Sequence, residues 1–178
     1  GSPFYGIKTG YNTAFVIDPA CNGETIDAFL RGKGYKLKAI FLTHGHQDHI
    51  GAVDYLYSLY KCSIIAHYKE RDILAGLVPS KILQFPSLKG IKVNSPVKYF
   101  DQDFMTWDID GIIVDGILTA GHTEGSVTYV LRNYKRIFSG DTIMKGTIGR
   151  VDCPTSSRIE MRNSIKLYKT FIDECKID

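Results

Sequence analysis

Three histidines and one aspartate stand within six residues of this chain, directly after a short apolar run at residues 39–42. They are His44, His46, Asp48 and His49. Imidazole nitrogens and carboxylate oxygens are ordinary ligands of zinc, iron and manganese, and irregular backbone after a strand can direct several of them at one point. Because three of the chain's five histidines lie here, a metal site at the end of a buried strand explains the cluster better than a polar exposed loop.

The length and composition fit one globular domain covering residues 1–178. Hydrophobic residues make up 44% of the chain and charged residues 23%, values that disfavour a disordered chain or a repeat array. Lys and Arg outnumber Asp and Glu by only 22 to 19, and no basic run is interleaved with aromatic residues. We therefore expect no nucleic-acid partner.

Neither the apolar segments nor the cysteines indicate a membrane or secreted protein. No apolar stretch reaches the roughly 20 residues that cross a bilayer, and the N-terminus lacks the charged-then-apolar pattern of a secretion signal. The four cysteines are scattered without a Cys-x-x-Cys pair, which predicts neither a disulfide framework nor a structural zinc knuckle. We expect a cytoplasmic protein with reduced thiols, no membrane contact and no obligatory protein partner.

Hydrophobic periodicity predicts the order of helices and strands. Runs at 4–8 and 14–17 flank turn residues and predict a hairpin, and 36–42 predicts the buried strand before the histidine cluster. The other predicted strands are 63–66, 98–100, 104–107, 112–118, 127–131 and 136–138, and the predicted helices are 25–31, 51–60, 69–74 and 158–174. The proline-containing stretch 79–96 predicts a surface excursion. Strands dominate two regions, each followed by helices, which predicts two packed sheets with helices outside.

Two further loops carry polar residues at predicted strand ends. His122 lies between the strands at 112–118 and 127–131, and Asp141 follows the strand at 136–138. A metal ion needs donors that converge from several directions, and loops at one edge of a sandwich can supply them. One site can then use His44, His46 and His122, and a second can use Asp48 and His49, with Asp141 shared between the two.

Three motifs occur in order along the chain: His-x-His-x-Asp-His at 44–49, Gly-His-Thr-x-Gly-Ser at 121–126 and Gly-Asp-Thr at 140–142. Asp18-Pro19 precedes them, and Gly-Arg-Val-Asp at 149–152 follows. This set resembles the metallo-β-lactamase superfamily, in particular its glyoxalase II-like branch of single-domain hydroxyacylglutathione hydrolases. The resemblance implies an α+β fold, the αββα sandwich of two packed mixed β-sheets with helices on the outer faces.

The resemblance also implies a cofactor of two divalent metal ions, zinc first, with iron or manganese as alternatives. A divalent ion lowers the pKa of bound water from about 15.7 towards about 7, so a metal-bridging hydroxide is the implied nucleophile. Within the superfamily, Asp141 stands where true zinc β-lactamases carry Cys or no ligand, which disfavours antibiotic hydrolysis. His46 stands where the flavodiiron branch carries Glu, and no inserted RNA-binding domain typical of the nucleases is present.

The ends of the chain differ from the family pattern. The family has one more His shortly after the helix predicted at 158–174, and no His follows His122 here. It also has a strand before the one that begins at Phe4. We therefore expect the given sequence to lack the family's first strand and its C-terminal His-bearing segment, and the second metal site to be only partly occupied.

Together, the motifs predict a metal-dependent hydrolase of a small acyl thioester or ester. Asp48 is predicted to be both a ligand and the catalytic proton acceptor. Arg150 is predicted either to bind an anionic substrate or to hold its loop by pairing with Asp152. Full glyoxalase II enzymes carry Lys and Tyr for glutathione where Arg150 and Asp152 stand, and the form seen here is also similar to the persulfide dioxygenases.

Two alternatives to the hydrolase stay open at this point. One is a mononuclear iron persulfide dioxygenase that uses His44, His122 and Asp141 as a two-His one-carboxylate set. The other is a non-catalytic module that binds a metal or a partner. His67, which lies beside charged residues, is predicted to be a surface or helix-start residue and not a ligand.

Overall fold

Two β-sheets form the centre of the computed structural model, which describes residues 5–78, 91–144 and 147–175, with side chains up to residue 170. In spatial order the first sheet contains β1 (Tyr5–Lys8), β2 (Thr13–Ile17), β3 (Lys36–Phe41), β4 (Ser63–His67) and β5 (Lys98–Phe100). The second contains β6 (Phe104–Ile109), β7 (Ile112–Leu118), β8 (Val127–Leu131) and β9 (Arg136–Phe138). A short ribbon of β10 (Ile143–Met144) and β11 (Thr147–Ile148) follows.

Connection length decides the strand directions. Helix α1 (Gly23–Lys33) connects β2 to β3, and α2 (Val53–Tyr60) connects β3 to β4, because a parallel pair needs a crossover and cannot use a tight turn. The first sheet is mixed, since β1 and β2 form an antiparallel hairpin. In the second sheet, short turns join β6 to β7 and β8 to β9, whereas the loop at residues 119–126 joins β7 to β8. Asp110 and Gly111 both have the positive φ of a two-residue hairpin turn. All described pairs in this sheet are antiparallel, so the prediction of two mixed sheets is wrong for this one.

Alternation of side chains along the strands produces separate apolar layers. One face of the first sheet packs on α1 and α2, and its buried residues include Ile26, Leu30, Ile40, Leu56 and Ile64. The opposite face meets the second sheet through Phe15, Phe41, Val114, Tyr129 and Leu131. Because Tyr129 faces this inner layer, its neighbour Thr128 faces outward, where its hydroxyl bonds to Tyr168 of α4 (Arg158–Cys175). The predicted αββα order of layers is confirmed.

The predicted elements are observed, with shifts at their ends. The helix predicted at 69–74 is a 3₁₀ turn at Tyr68–Glu70 followed by α3 (Arg71–Leu74). Residues 79–90 of the predicted surface excursion lie outside the described part of the chain. None of the helices in the described ranges is long and apolar enough to cross a bilayer. A single domain that lacks the family's end segments stays a prediction.

The two sheets meet at the edge where the polar loops emerge. The main-chain N–H of Val127, at the start of β8, donates to the carbonyl oxygen of Thr43, two residues beyond β3, at 2.8 Å. This bond joins the loop that follows a strand of the first sheet to a strand of the second. The fold therefore places the loops of both sheets side by side.

Candidate metal centre

Loops at one edge of the sandwich bring all six predicted metal ligands together. One loop follows β3, one joins β7 to β8, and one follows β9. The six predicted ligands fall into two groups, each with its ligand atoms within 4.8 Å of one another: His44, His46, His122 and Asp141 in the first group, and Asp48, His49 and Asp141 in the second. His44 and Asp141, which are 97 positions apart in the chain, thus face one another.

The first donor group has the spacing of a metal site. His122 Nε2 lies 2.9 Å from His46 Nδ1 and 3.2 Å from Asp141 Oδ2, and His44 Nε2 lies 3.5 Å from the same oxygen. Bonds of about 2.0–2.1 Å in a tetrahedron place ligand atoms about 3.3 Å apart. In addition, His44 Nε2 is buried and makes no hydrogen bond among the described residues, which is costly unless an ion uses its lone pair. These residues fit a metal ion.

The second donor group uses the other oxygen of the shared carboxylate. Asp141 Oδ1 lies 3.3 Å from His49 Nε2, which lies 3.8 Å from Asp48 Oδ2. The two oxygens of Asp141 therefore face two different groups, which is the arrangement of a bridging carboxylate. The Asp48 side chain is 39% exposed, so this group forms the solvent side of the centre.

Hydrogen bonds behind two of the imidazoles fix which nitrogen faces the centre. His122 Nδ1 lies 2.8 Å from the carbonyl oxygen of Arg150. A carbonyl only accepts, so Nδ1 carries the proton and Nε2 presents its lone pair. His44 Nδ1 lies 3.0 Å from Thr43 Oγ1, whose own proton goes to Asp18 Oδ2 at 2.5 Å. By the same logic His44 directs the lone pair of Nε2 to the centre.

Asp18 orients histidines of both donor groups. It is buried, accepts from the main-chain N–H of Thr43 at 2.8 Å and contacts His49 Nδ1 at 2.9 Å. It therefore acts on His49 directly and on His44 through Thr43. Its φ of 49° lies in the left-handed region, and such backbone strain is concentrated at functional sites. The Asp18-Pro19 motif is visible in the sequence, but nothing local in it predicts these contacts.

Glu70 joins two of the loops that carry the donors, and sequence reasoning missed it. The side chain is fully buried. Its Oε2 accepts from the main-chain N–H of Gly45 at 2.8 Å, and its Oε1 accepts from that of Gly125 at 2.9 Å. In the sequence it is one acidic residue near the start of a predicted helix, a pattern typical of exposed positions.

Close backbone contacts hold Asp141 in place. A Cβ on Gly149 would lie 1.7 Å from the carbonyl oxygen of Asp141, and a Cβ on Gly140, whose φ is 57°, would lie 2.4 Å from Thr43 Oγ1. Only glycine permits both approaches.

The electrostatics of the protein alone favour positive charge at the centre. Burial lowers the pKa of His49, but hydrogen bonds to Asp141 and Asp18 outweigh it and raise that pKa to about 10. Burial raises the pKa of Asp141, yet the close approach of the imidazoles of His122, His44 and His49 holds it well below its usual range. A metal ion that binds here takes the place of a proton on His49.

The family model described as the metallo-β-lactamase superfamily matches residues 5–172. The chain belongs to the metallo-β-lactamase superfamily. The buried His and Asp cluster fits the binuclear metal site typical of this superfamily.

Two curated proteins are similar to this chain in sequence. The probable metallo-hydrolase YqgX of Bacillus subtilis is 31% identical over 138 residues, which cover 77% of this chain and 64% of that protein. The hydroxyacylglutathione hydrolase GloC of Haemophilus influenzae is 29% identical over 153 residues, which cover 86% of this chain and 72% of that protein. The chain thus spans less than two thirds of the length of YqgX.

Solved structures confirm the metallo-β-lactamase fold. TTHA1623 in a di-iron-bound form matches with a TM-score of 0.79 and 26% identity, over 94% of this chain and 80% of that one. BLEG-1, a B3 metallo-β-lactamase, matches with a TM-score of 0.78 and 27% identity, over 92% of this chain and 78% of that one.

Two other residues singled out in the sequence occupy defined places in this superfamily member. The guanidinium of Arg150 pairs with the Asp152 carboxylate through two bonds of 2.9 Å. Pairing with Asp152 is one of the two roles predicted for Arg150. The other role, binding of an anionic substrate, stays a prediction. His67 accepts from the main-chain N–H of Lys69 at the start of a helical turn, as predicted. Its predicted place on the surface is wrong, because the ring is buried against Phe100.

Proposed function

We propose that this chain is a metal-dependent hydrolase that acts on a small acyl thioester or ester. The observation that carries the proposal is the placement of Asp141, whose Oδ2 faces the imidazoles of His44 and His122 while its Oδ1 faces His49. One carboxylate shared between two donor groups suits hydrolysis by two ions. The likeness to a hydroxyacylglutathione hydrolase supports a thioester as the substrate class.

The donor atoms divide naturally between two ions. In the proposal, one ion is held by His44, His46 and His122, the other by Asp48 and His49, and Asp141 binds both. Bound zinc, or iron or manganese in its place, lowers the pKa of water towards about 7 and stabilises negative charge on a carbonyl oxygen.

Asp48 is the proposed catalytic proton acceptor. Its side chain is 39% exposed, and its Oδ2 lies 3.8 Å from His49 Nε2, so it stands where the centre meets solvent. A carboxylate in this place can take the proton of the attacking water. The leaving thiol has a pKa of about 8.5 and departs as the thiolate without a proton donor, which favours a thioester over an amide.

The test is a substrate panel with the zinc-loaded chain. The panel holds a hydroxyacylglutathione, a simple acyl thioester, an aryl ester, a β-lactam and glutathione persulfide. We expect thiol release from a thioester without oxygen uptake, and Asp48→Ala should lower kcat by about 10² to 10⁴, the usual contribution of a general base. Asp110→Asn, which changes a half-buried carboxylate bonded to Thr13 and Lys38, is the control.

Other results would overturn the hydrolase. Oxygen uptake with the persulfide would favour the iron dioxygenase that uses His44, His122 and Asp141. Turnover of the β-lactam alone would favour antibiotic hydrolysis. A zinc-loaded chain that turns over nothing in the panel would favour a binding module.

A further inference from the structure

Glu70 lies between the two loops that carry the three histidines of the first donor group. It ends the 3₁₀ turn Tyr68–Glu70 and is fully buried. Both of its carboxylate oxygens are used, one by Gly45 and the other by Gly125. A buried carboxylate that accepts two main-chain N–H bonds makes charge-assisted hydrogen bonds, which are roughly twice as strong as neutral ones.

The two bonded glycines are immediate neighbours of the histidines. Gly45 is the residue between His44 and His46, so its peptide links the two imidazoles. Gly125 lies three residues after His122. The Glu70 side chain therefore joins the loop of two donors to the loop of the third.

Hydrogen bonds within the loop that carries His122 connect Gly125 to the histidine. The N–H of Gly121 donates to the carbonyl of Thr123 at 3.0 Å, and the N–H of Thr123 donates to Ser126 Oγ at 3.0 Å. These bonds close a tight turn around residues 121–126. Displacement of one end of such a turn moves the whole turn.

The contacts of Glu70 depend on glycine at both partners. A Cβ on Gly125 would lie 2.8 Å from both the main-chain N and the Cγ of Glu70, and a Cβ on Gly45 would lie 3.2 Å from Glu70 Oε2. Any larger residue would push the loops away from the carboxylate. The glycines and Glu70 thus form one packed unit behind the centre.

We infer that Glu70 is a positioning residue for the metal centre. Its side chain fixes the distance between the loop that carries His44 and His46 and the loop that carries His122. The inference rests on the metal centre of the proposed function but not on its substrate. It makes the affinity for the first ion depend on a side chain that is not a donor. Hydrogen-bond partners that orient metal ligands typically contribute about 10- to 100-fold to metal affinity, and Glu70 would do so through the main chain beside the ligands.

The decisive variant is Glu70→Gln. The amide keeps the size of the side chain but has one acceptor oxygen, and its NH₂ faces a main-chain N–H, so one loop loses its bond. Asp54→Asn is the matched control, because Asp54 accepts from the main-chain N–H groups of Asn94 and Ser95 at 3.0 Å, away from the donor groups. Both variants exchange a carboxylate that holds a loop for an amide.

The measurement is a zinc titration against a chromophoric chelator, together with thermal unfolding of the metal-free protein. We expect Glu70→Gln to weaken binding of the first zinc ion by about 10- to 100-fold. Asp54→Asn should lower the unfolding temperature and leave zinc affinity within about twofold of the wild type, since it touches no donor loop. The control therefore separates a general loss of stability from a specific loss of zinc affinity in Glu70→Gln.

Wild-type zinc affinity in Glu70→Gln would overturn the inference, whatever its stability. If that variant does not fold without metal, Glu70→Asp replaces it, because it keeps both acceptor oxygens on a shorter side chain and should still weaken zinc binding. A wild-type chain that binds zinc but hydrolyses no thioester would refute the proposed substrate and leave the Glu70 test intact. A wild-type chain that binds no zinc would overturn both.

Discussion

His67 is a buried histidine whose ionisation is opposed by the fold. Burial and the nearby charge of Lys69 lower its pKa, against the effect of its hydrogen bond to the carbonyl of Gln102. Its Nδ1 accepts from the N–H of Lys69, so the neutral ring is the form that fits. When pH falls through about 6.5, the ordinary pKa of histidine, the unfolded chain takes up a proton that the folded chain resists. This group therefore contributes stability above about pH 6.5 that is lost progressively below it.

The variant His67→Asn tests this contribution. The Asn oxygen can still accept from Lys69, but the bond to Gln102, the packing on Phe100 and the titration are lost. We expect a loss of about 1–3 kcal/mol at pH 8 and a smaller decline in stability between pH 7 and 5 than in the wild type. Urea unfolding of both metal-free proteins across this range measures the difference. Equal declines would mean that His67 keeps its ordinary pKa.

At the scale of single residues, the sequence predicts the metal donors far better than their partners. His44 and Asp141 each follow an apolar strand, and their spacing within short motifs is visible locally. Asp18 and Glu70 act through contacts 25 to 55 residues away. Since neither has a local pattern that separates it from an exposed acidic residue, only the folded chain reveals these roles.

Helix α4 supports the loop of His122 from the outer side of the second sheet. The hydroxyl of Ser164 donates to the carbonyl of Ala120 at 2.6 Å. Gly121, with a φ of 146°, approaches so closely that a Cβ on it would lie 2.5 Å from Met161 Cα. The helix and the loop therefore fit only while residue 121 is glycine.

Gly121→Ala should separate α4 from the loop. Overpacking and backbone strain each cost about 1–3 kcal/mol, so we expect an unfolding free energy lower by about 2–4 kcal/mol and weaker zinc binding. Gly10→Ala is the control, because a Cβ there meets nothing within 4 Å. Chemical unfolding and zinc titration of both variants measure the effects. Zinc affinity unchanged in Gly121→Ala would contradict a supporting role for α4.

At the scale of elements, local periodicity predicts which segments are helices and strands, but tertiary contacts decide some ends. The helix predicted at 69–74 begins with a 3₁₀ turn, which the His67 side chain caps by accepting from the N–H of Lys69. The antiparallel pairing of β6 with β7 follows from the short turn at Asp110 and Gly111. A two-residue turn can join only antiparallel strands, whereas the family resemblance implied a mixed sheet.

Across the whole molecule, the candidate centre connects the two sheets. His44 and His46 extend from the first sheet, whereas His122 and Asp141 extend from the second. A sandwich with its loops at one edge was predictable from the order of strands and motifs. The distances between the donors were not, because they depend on how the sheets pack through residues such as Phe41 and Tyr129.

Because the donors come from both sheets, metal binding should stabilise the sandwich as a unit. The first donor group has four donors and the second has three among the described residues, so we expect one tight and one weak zinc ion. Zinc at 100 times the dissociation constant of the tight site adds about 2.7 kcal/mol to stability, seen as a higher unfolding temperature that a chelator reverses. Asp48→Ala should abolish binding of the weak zinc ion and leave binding of the tight zinc ion unchanged. Loss of the tight zinc ion in that variant would contradict the assignment of the donors to two separate ions, since Asp48 belongs to the second donor group alone.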